Sequence, residues 1–197
     1  LGAEAGLRQA LTKIDRLGRQ RISLIARRDT QLQDGLAAAV ELTEIADTLV
    51  ANAEMGASAV ISSLYGMDGT DATAPESRLD TLDKLIEVDL FQMGLMFELR
   101  SHASEVGLLL NRVAGLQSQV ELQSLRDELA ARERVIARRL ASVQDPRQAE
   151  RVRVLLRVIG AAPAAPPETA ALFENAARVL VVTGRIAEAE TELREAA

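Results

Sequence analysis

An all-α fold of long helices is predicted, and three observations predict it. The 197 residues include 33 Ala and 29 Leu, with only 2% aromatic residues. Gly and Pro are held to 12 and 5. Ala, Leu, Arg, Glu and Gln, the strongest helix formers, dominate, whereas a β domain would draw on Val, Ile, Thr, Tyr and Phe with frequent turn signals. Apolar residues recur at three-and-four spacing over stretches of tens of residues. The expectation is a long-helix bundle, with two stacked antiparallel bundles sharing long helices.

The first helix is read from about Glu4 to Leu64, with Leu7, Leu11, Ile14, Ile22, Ile25, Leu32, Leu36 and Val40 as its apolar positions and no proline to interrupt it. At 1.5 Å per residue such a helix exceeds what one small bundle needs. Residues 66–75 hold two Gly, two Asp, two Thr and a Pro and form the first clear loop. The second helix starts near Glu76 and carries Leu79, Leu82, Ile86, Leu90, Met93 and Phe97, then Leu110 and Val113, with Gly115 as its C′ residue. The third runs from Gln119 to Ser142 with Leu122, Leu125, Leu129, Ile136 and Leu140 inward. Asp145-Pro146 is the sharpest boundary, an Asp N-cap followed by Pro at the first helical position. A fourth helix therefore spans Pro146 to about Ile159, and the prolines within 161–167 break it before a fifth begins near Glu168. Residues 1–40 with 168–197 are assigned to one helical part, membrane-proximal and incomplete. Residues 41–160 form a membrane-distal four-helix bundle, with 161–167 as the Pro-rich break.

Composition also excludes functions. A net charge of −6 and scarce aromatics argue against nucleic-acid binding. Zero cysteines exclude disulfides and thiol chemistry, and one histidine, His102, makes a transition-metal site improbable. Glu98 and His102 are four apart, not the three that di-iron bundles use. No phosphate loop, catalytic triad or carboxylate pair is present, so neither an enzyme nor a cofactor is expected. Gly66 to Asp71 only superficially resembles the start of a calcium loop. A core of small aliphatics leaves little room for a ligand pocket. Acid-to-base pairs at i,i+4 (Glu4–Arg8, Asp15–Arg19, Asp80–Lys84, Glu128–Arg132, Glu174–Arg178 and Glu190–Arg194) mark solvated faces. Asp89 interrupts an apolar run, which calls for exposure, a buried polar contact that fixes register, or a contact to a partner.

The second helix carries a resemblance. Leu82-Asp83-Lys84-Leu85-Ile86-Glu87-Val88-Asp89-Leu90 and Phe97-Glu98-Leu99-Arg100 resemble the periplasmic sensor domains of TorS-type hybrid histidine kinases. Ser63-Leu64-Tyr65, Asp145-Pro146 and Leu49-Val50-Ala51-Asn52-Ala53 support it in co-linear order. The resemblance implies two stacked helical bundles between two transmembrane helices, which lie outside this chain, in a periplasmic domain that dimerises. It implies no direct binding of trimethylamine N-oxide. A TorT-like periplasmic binding protein carries the ligand and docks on the membrane-distal part. The stretch Pro163 to Pro167 departs from the family pattern.

The docking surface is placed around Tyr65, Met67, Asp68 and Asp71, with Asp145 and Arg147 nearby. Gly56, Gly115 and Pro163 are the places where the long helices bend, and Asp89 and Arg100 are assigned structural or signalling roles. Two alternatives stand beside this reading. One is a helical bimodular sensor binding a small organic acid directly through Arg100 or Arg112; the other is a cytosolic helical scaffold.

Overall fold

The computed structural model describes residues 2–66, 74–160 and 171–196, and the following statements concern those residues. They are helical almost throughout, with no strand. Helix α1 (Gly2–Gly66) runs for 65 residues without interruption. Helix α2 (Ala74–Lys84) passes through a π-helical segment, Leu85–Leu90, into α3 (Phe91–Asn111). A 3₁₀ turn at Val113–Gly115 precedes α4 (Gln119–Arg139), and a second at Leu140–Ser142 ends it. Helices α5 (Pro146–Ile159) and α6 (Ala171–Ala196) complete the chain.

The capping chemistry explains the boundaries. Asp145 Oδ1 accepts hydrogen bonds from the backbone N–H groups of Arg147 at 2.8 Å and Gln148 at 3.4 Å, so an Asp N-cap starts α5. Gly160, at φ 62°, follows its last residue in the left-handed conformation that only glycine adopts cheaply. Ser118 Oγ caps α4 through the Glu121 N–H at 3.2 Å, while the Glu121 carboxylate accepts from the Gln117 N–H at 2.9 Å. This is a variant of the capping box, in which the glutamate reaches the N–H of the residue before the cap, one turn ahead of the buried Leu122.

The residues separate into two compact units, 1–37 with 108–130 and 157–197, and 38–107 with 131–156. In the first unit α1 and α6 are antiparallel: Lys13 pairs with Glu192 at 2.8 Å, Arg21 bonds Thr183 at 3.0 Å and Asn175 bonds Gln31 at 2.9 Å. Leu17, Leu24, Val179 and Val182 form a buried cluster there, flanked by Ile25 and Ile186. Helix α4 runs against α6 through Gln119, which donates to the Ala177 carbonyl, and Arg126, whose guanidinium lies 5.8 Å from the Phe173 ring centre. In the second unit α1 and α3 are antiparallel through Ala39 opposite Gly107 and Asp47 opposite Arg100. Helices α3 and α4 are antiparallel through Glu105–Arg132 and Glu98–Arg139.

Two inward faces differ from the expected ones. On α1 the buried positions are Ala10, Leu17, Leu24, Leu32, Ala38, Ala39, Leu42, Ala46, Leu49, Val50 and Ala57, whereas Leu11, Ile22 and Val40 are exposed. Alanines fill much of that seam and allow close approach of neighbouring helices. On the second helical stretch Leu79, Leu82, Ile86, Leu90 and Phe97 are exposed, and Leu85, Met96, Leu99, Ala103, Val106 and Leu110 are buried. The five inward residues read for the third helix (Leu122, Leu125, Leu129, Ile136, Leu140) are all buried. One expected i,i+4 pairing also changes: in place of the local Glu128–Arg132 pair, Arg132 forms an ion pair with Glu105 across helices at 2.6 Å and Glu128 accepts from Arg112 at 3.2 Å. No described helix is long and apolar enough to cross a membrane.

Candidate functional site

In the second unit, three helices and a turn surround a cavity of about 290 Å³. Helix α1 contributes Leu49, Asn52, Ala53 and Gly56, and the π segment contributes Asp89. Gln92 and Met96 come from α3, Val143, Gln144 and Asp145 from the turn after α4, and Gln148 from α5. Three local features build this arrangement. Gln92 donates its side-chain N–H to the Ser142 carbonyl, tying α3 to the turn. The cap at Asp145 fixes the first turn of α5, so Gln148 has a set position. Gly56 lines a third side, where an added Cβ would meet no neighbour.

The cavity is polar in an unusual way. Asp89 Oδ2 and Gln148 Oε1 are shielded from solvent and have no hydrogen-bond partner. Asp89 and Asp145 both line the cavity, and no Lys, Arg or His does so among the described residues. An apolar wall of Leu49, Ala53, Met96 and Val143 completes it.

The sequence-nominated residues are dispersed relative to this site. Gly56, Asp89 and Asp145 come together around the cavity. Tyr65, near the end of α1, is 85% exposed, and Arg147 is also exposed. Arg100 Nε forms an ion pair with Asp47 Oδ1 at 2.7 Å, which couples α3 to α1. Gly115 lies in the 3₁₀ turn, where its N–H donates to the Arg112 carbonyl at 3.1 Å, and it belongs to the first unit. Met67, Asp68, Asp71 and Pro163 lie outside the described residues, as does most of the Gly66-to-Asp71 stretch. Sequence reasoning did not single out Gln92, Gln144 or Gln148. Gln92 and Gln148 lie three residues after Asp89 and Asp145, and Gln144 directly before Asp145, but only the fold shows that they share a cavity.

Charged contacts between helices surround the same unit. Glu98 Oε2 accepts a hydrogen bond from Arg139 Nε at 2.7 Å and lies 2.7 Å from its Nη2, and hydrogen bonding to that guanidinium holds the carboxyl below the ordinary glutamate value against a weaker opposing effect of desolvation. Glu41 is lowered in the same way by its hydrogen bonds from Arg151. His102 sits between Glu98 and Glu105, at 4.0 and 3.6 Å. No group of three or more His, Asp or Glu residues able to hold a metal ion occurs among the described residues.

The model of the sensor domain of the sensor protein TorS matches residues 3–178. No curated protein matches the chain. Among solved structures, it is similar to a chain of the crystal structure of the TorS sensor domain–TorT complex in the presence of TMAO. The two share 20% identity, with 98% of this chain and 72% of that chain covered and a TM-score of 0.72, a likeness of fold. With the family match spanning most of its length, the chain belongs to the TorS sensor-domain family.

Proposed function

We propose that this chain is the periplasmic sensing part of a two-component histidine kinase, without catalysis of its own. It receives a TorT-like, ligand-loaded periplasmic binding protein and passes the signal across the membrane as a dimer, through helix rearrangement. Flanking transmembrane helices belong to the longer protein. The observation that carries this reading is the family match over residues 3–178. A complex of a TorS sensor domain with TorT, in a structure of similar fold, supports the choice of partner. The direct-acid alternative has less support: Arg100 and Arg112 are already engaged by Asp47 and Glu128.

The docking surface proposed is the end of α1 with the turn before α5. Tyr65 and Ile61, one helical turn apart, are both exposed there, and Asp145 and Arg147 offer opposite charges. Met67, Asp68 and Asp71 belong to the same proposal. Titration of the purified domain with its cognate binding protein, with and without that protein's ligand, tests this reading. Binding in at least one state, weakened about tenfold or more by Tyr65→Ala, is expected. Absence of binding in both states overturns it.

A further inference from the structure

We propose that the groove between α1 and α6 in the first unit binds a dicarboxylate, an alkyl chain with an acid at each end, separately from the docking surface of the second unit. Two segments of one charge sign meet there. Residues 16–28 of α1 and 175–187 of α6 hold seven arginines and no aspartate or glutamate, in a chain whose net charge is −6. The bonds of Arg21 to Thr183 and Asn175 to Gln31 set the two segments antiparallel and level with each other. Arg27, Arg178 and Arg185 line the groove, and no acidic residue does. All three are exposed. Arg178 approaches Glu174 only at 3.9 Å, and Arg27 and Arg185 have no ion pair or hydrogen bond among the described residues.

Charge, register and floor together select the occupant. Gln20, Ser23, Leu24 and Arg27 on α1, and Arg178, Val181, Val182 and Arg185 on α6, follow the same helical spacing, so each set forms one face two turns long. In the antiparallel register Arg27 lies across from Arg178, while Arg185 lies two turns further along α6, about 10 Å by helical rise, across from Gln20. Cationic groups therefore stand at two levels, and each guanidinium offers a carboxylate paired N–H donors. Between the levels lie Leu24 and Val182, both buried, and Val181, 54% exposed. An alkyl chain laid over Val181 takes apolar surface out of water, which a compact anion such as phosphate would leave wet. A dicarboxylate of that length meets arginines at both levels and covers the floor between them. The cavity volume of about 610 Å³ lies within the range of ligand pockets, roughly 300–1,000 Å³.

Calorimetric and thermal-melt titration of the protein with sodium azelate at low ionic strength tests the site. The expected result is saturable binding with a Kd on the order of 1 mM, a ligand-dependent rise in Tm and a severalfold loss of affinity in high salt. Succinate, nonanoate and phosphate lack the length, the second acid or the alkyl chain, and are each expected to bind at least about fivefold more weakly. Arg27→Gln with Arg185→Gln leaves the apolar floor in place and is expected to weaken azelate about tenfold or more. Arg153→Gln, on α5 in the second unit, is expected to leave its affinity unchanged. Val181→Asp sets a like charge on the exposed floor, is expected to abolish binding, and decides the matter if the arginine variant loses its helical circular dichroism. Absence of saturation, equal affinity for succinate or phosphate, or undiminished affinity in the folded groove variants overturns the proposal.

Discussion

Between α1 and α6 the first unit combines an apolar seam with one lysine–glutamate pair and side-chain hydrogen bonds, whereas four arginine–carboxylate pairs link the helices of the second. In the first, Leu17, Leu24, Val179 and Val182 cluster, and Asn175, Thr183 and Glu192 supply polar contacts of α6. In the second, Arg100–Asp47, Arg132–Glu105, Arg139–Glu98 and Arg151–Glu41 link α1, α3, α4 and α5. Their cavities differ in charge as well: Asp89 interrupts the inward face of Leu85, Met96 and Leu99 and lines the second unit's cavity with Asp145, whereas the cavity between α1 and α6 in the first is lined by Arg27, Arg178 and Arg185. Apolar seams set stability. Paired charges at half-exposed positions contribute little energy each, but they fix which helices meet and in what register.

Core truncation should produce the largest effect and test whether the units differ in packing. Leu99→Ala in the second and Leu17→Ala in the first, both fully buried, are each expected to cost about 2–5 kcal/mol by urea denaturation. A much smaller cost for Leu99→Ala would mean that the cavity lets the second unit collapse around the deletion. Asp89→Leu should act in the opposite direction. Completing the inward face and removing an unsatisfied carboxylate oxygen is expected to raise stability by about 1–3 kcal/mol. A decrease would show that the cavity's polarity is structurally required.

Asn175→Ala breaks the buried bond to Gln31 in the first unit, and a cost of about 1 kcal/mol is expected in the same denaturation experiment. Asp145→Ala removes the α5 cap in the second, with a similar cost of about 1 kcal/mol. The smallest effect concerns pH. Glu98 is lowered in the folded state, so its contribution is complete above the ordinary value of 4.5 and lost as pH falls below it through the lowered value. Arg139→Gln should therefore flatten the acid side of the stability profile, measured by thermal melts from neutral pH downward. An unchanged acid limb would place the pH sensitivity in other carboxylates.

Much of the fold was legible in the sequence, for reasons that particular residues make plain. The Asp145-Pro146 cap placed α5 at its observed bounds because capping is local chemistry. The phase of α1 was not legible from its large apolar residues. Ala10, Ala38, Ala39, Ala46 and Ala57 carry the seam, and alanine looks the same inside and outside a helix. On the second stretch two apolar faces compete, one through Leu79, Leu82 and Ile86 and one through Leu85, Met96 and Leu99. Only the tertiary contacts choose between them. Arg132 shows the same limit for charges, since a carboxylate on a neighbouring helix displaced the one four residues before it. Asp89 was visible as an anomaly, whereas the amides that share its cavity gave no signal without the fold.

The π segment Leu85–Leu90 also bears on how this family's sequences can change length. A π turn accommodates one residue more than the α turn it replaces. Loss of a single residue from this segment would tighten it to an ordinary α turn and leave Met96, Leu99 and Val106 on their buried face. The same loss near Gly107 would swing the residues that follow by about 100° and turn the apolar stripe toward water. Single-residue gaps in alignments of this stretch are therefore expected to collect at 85–90, as traces of the turn's insertion or removal.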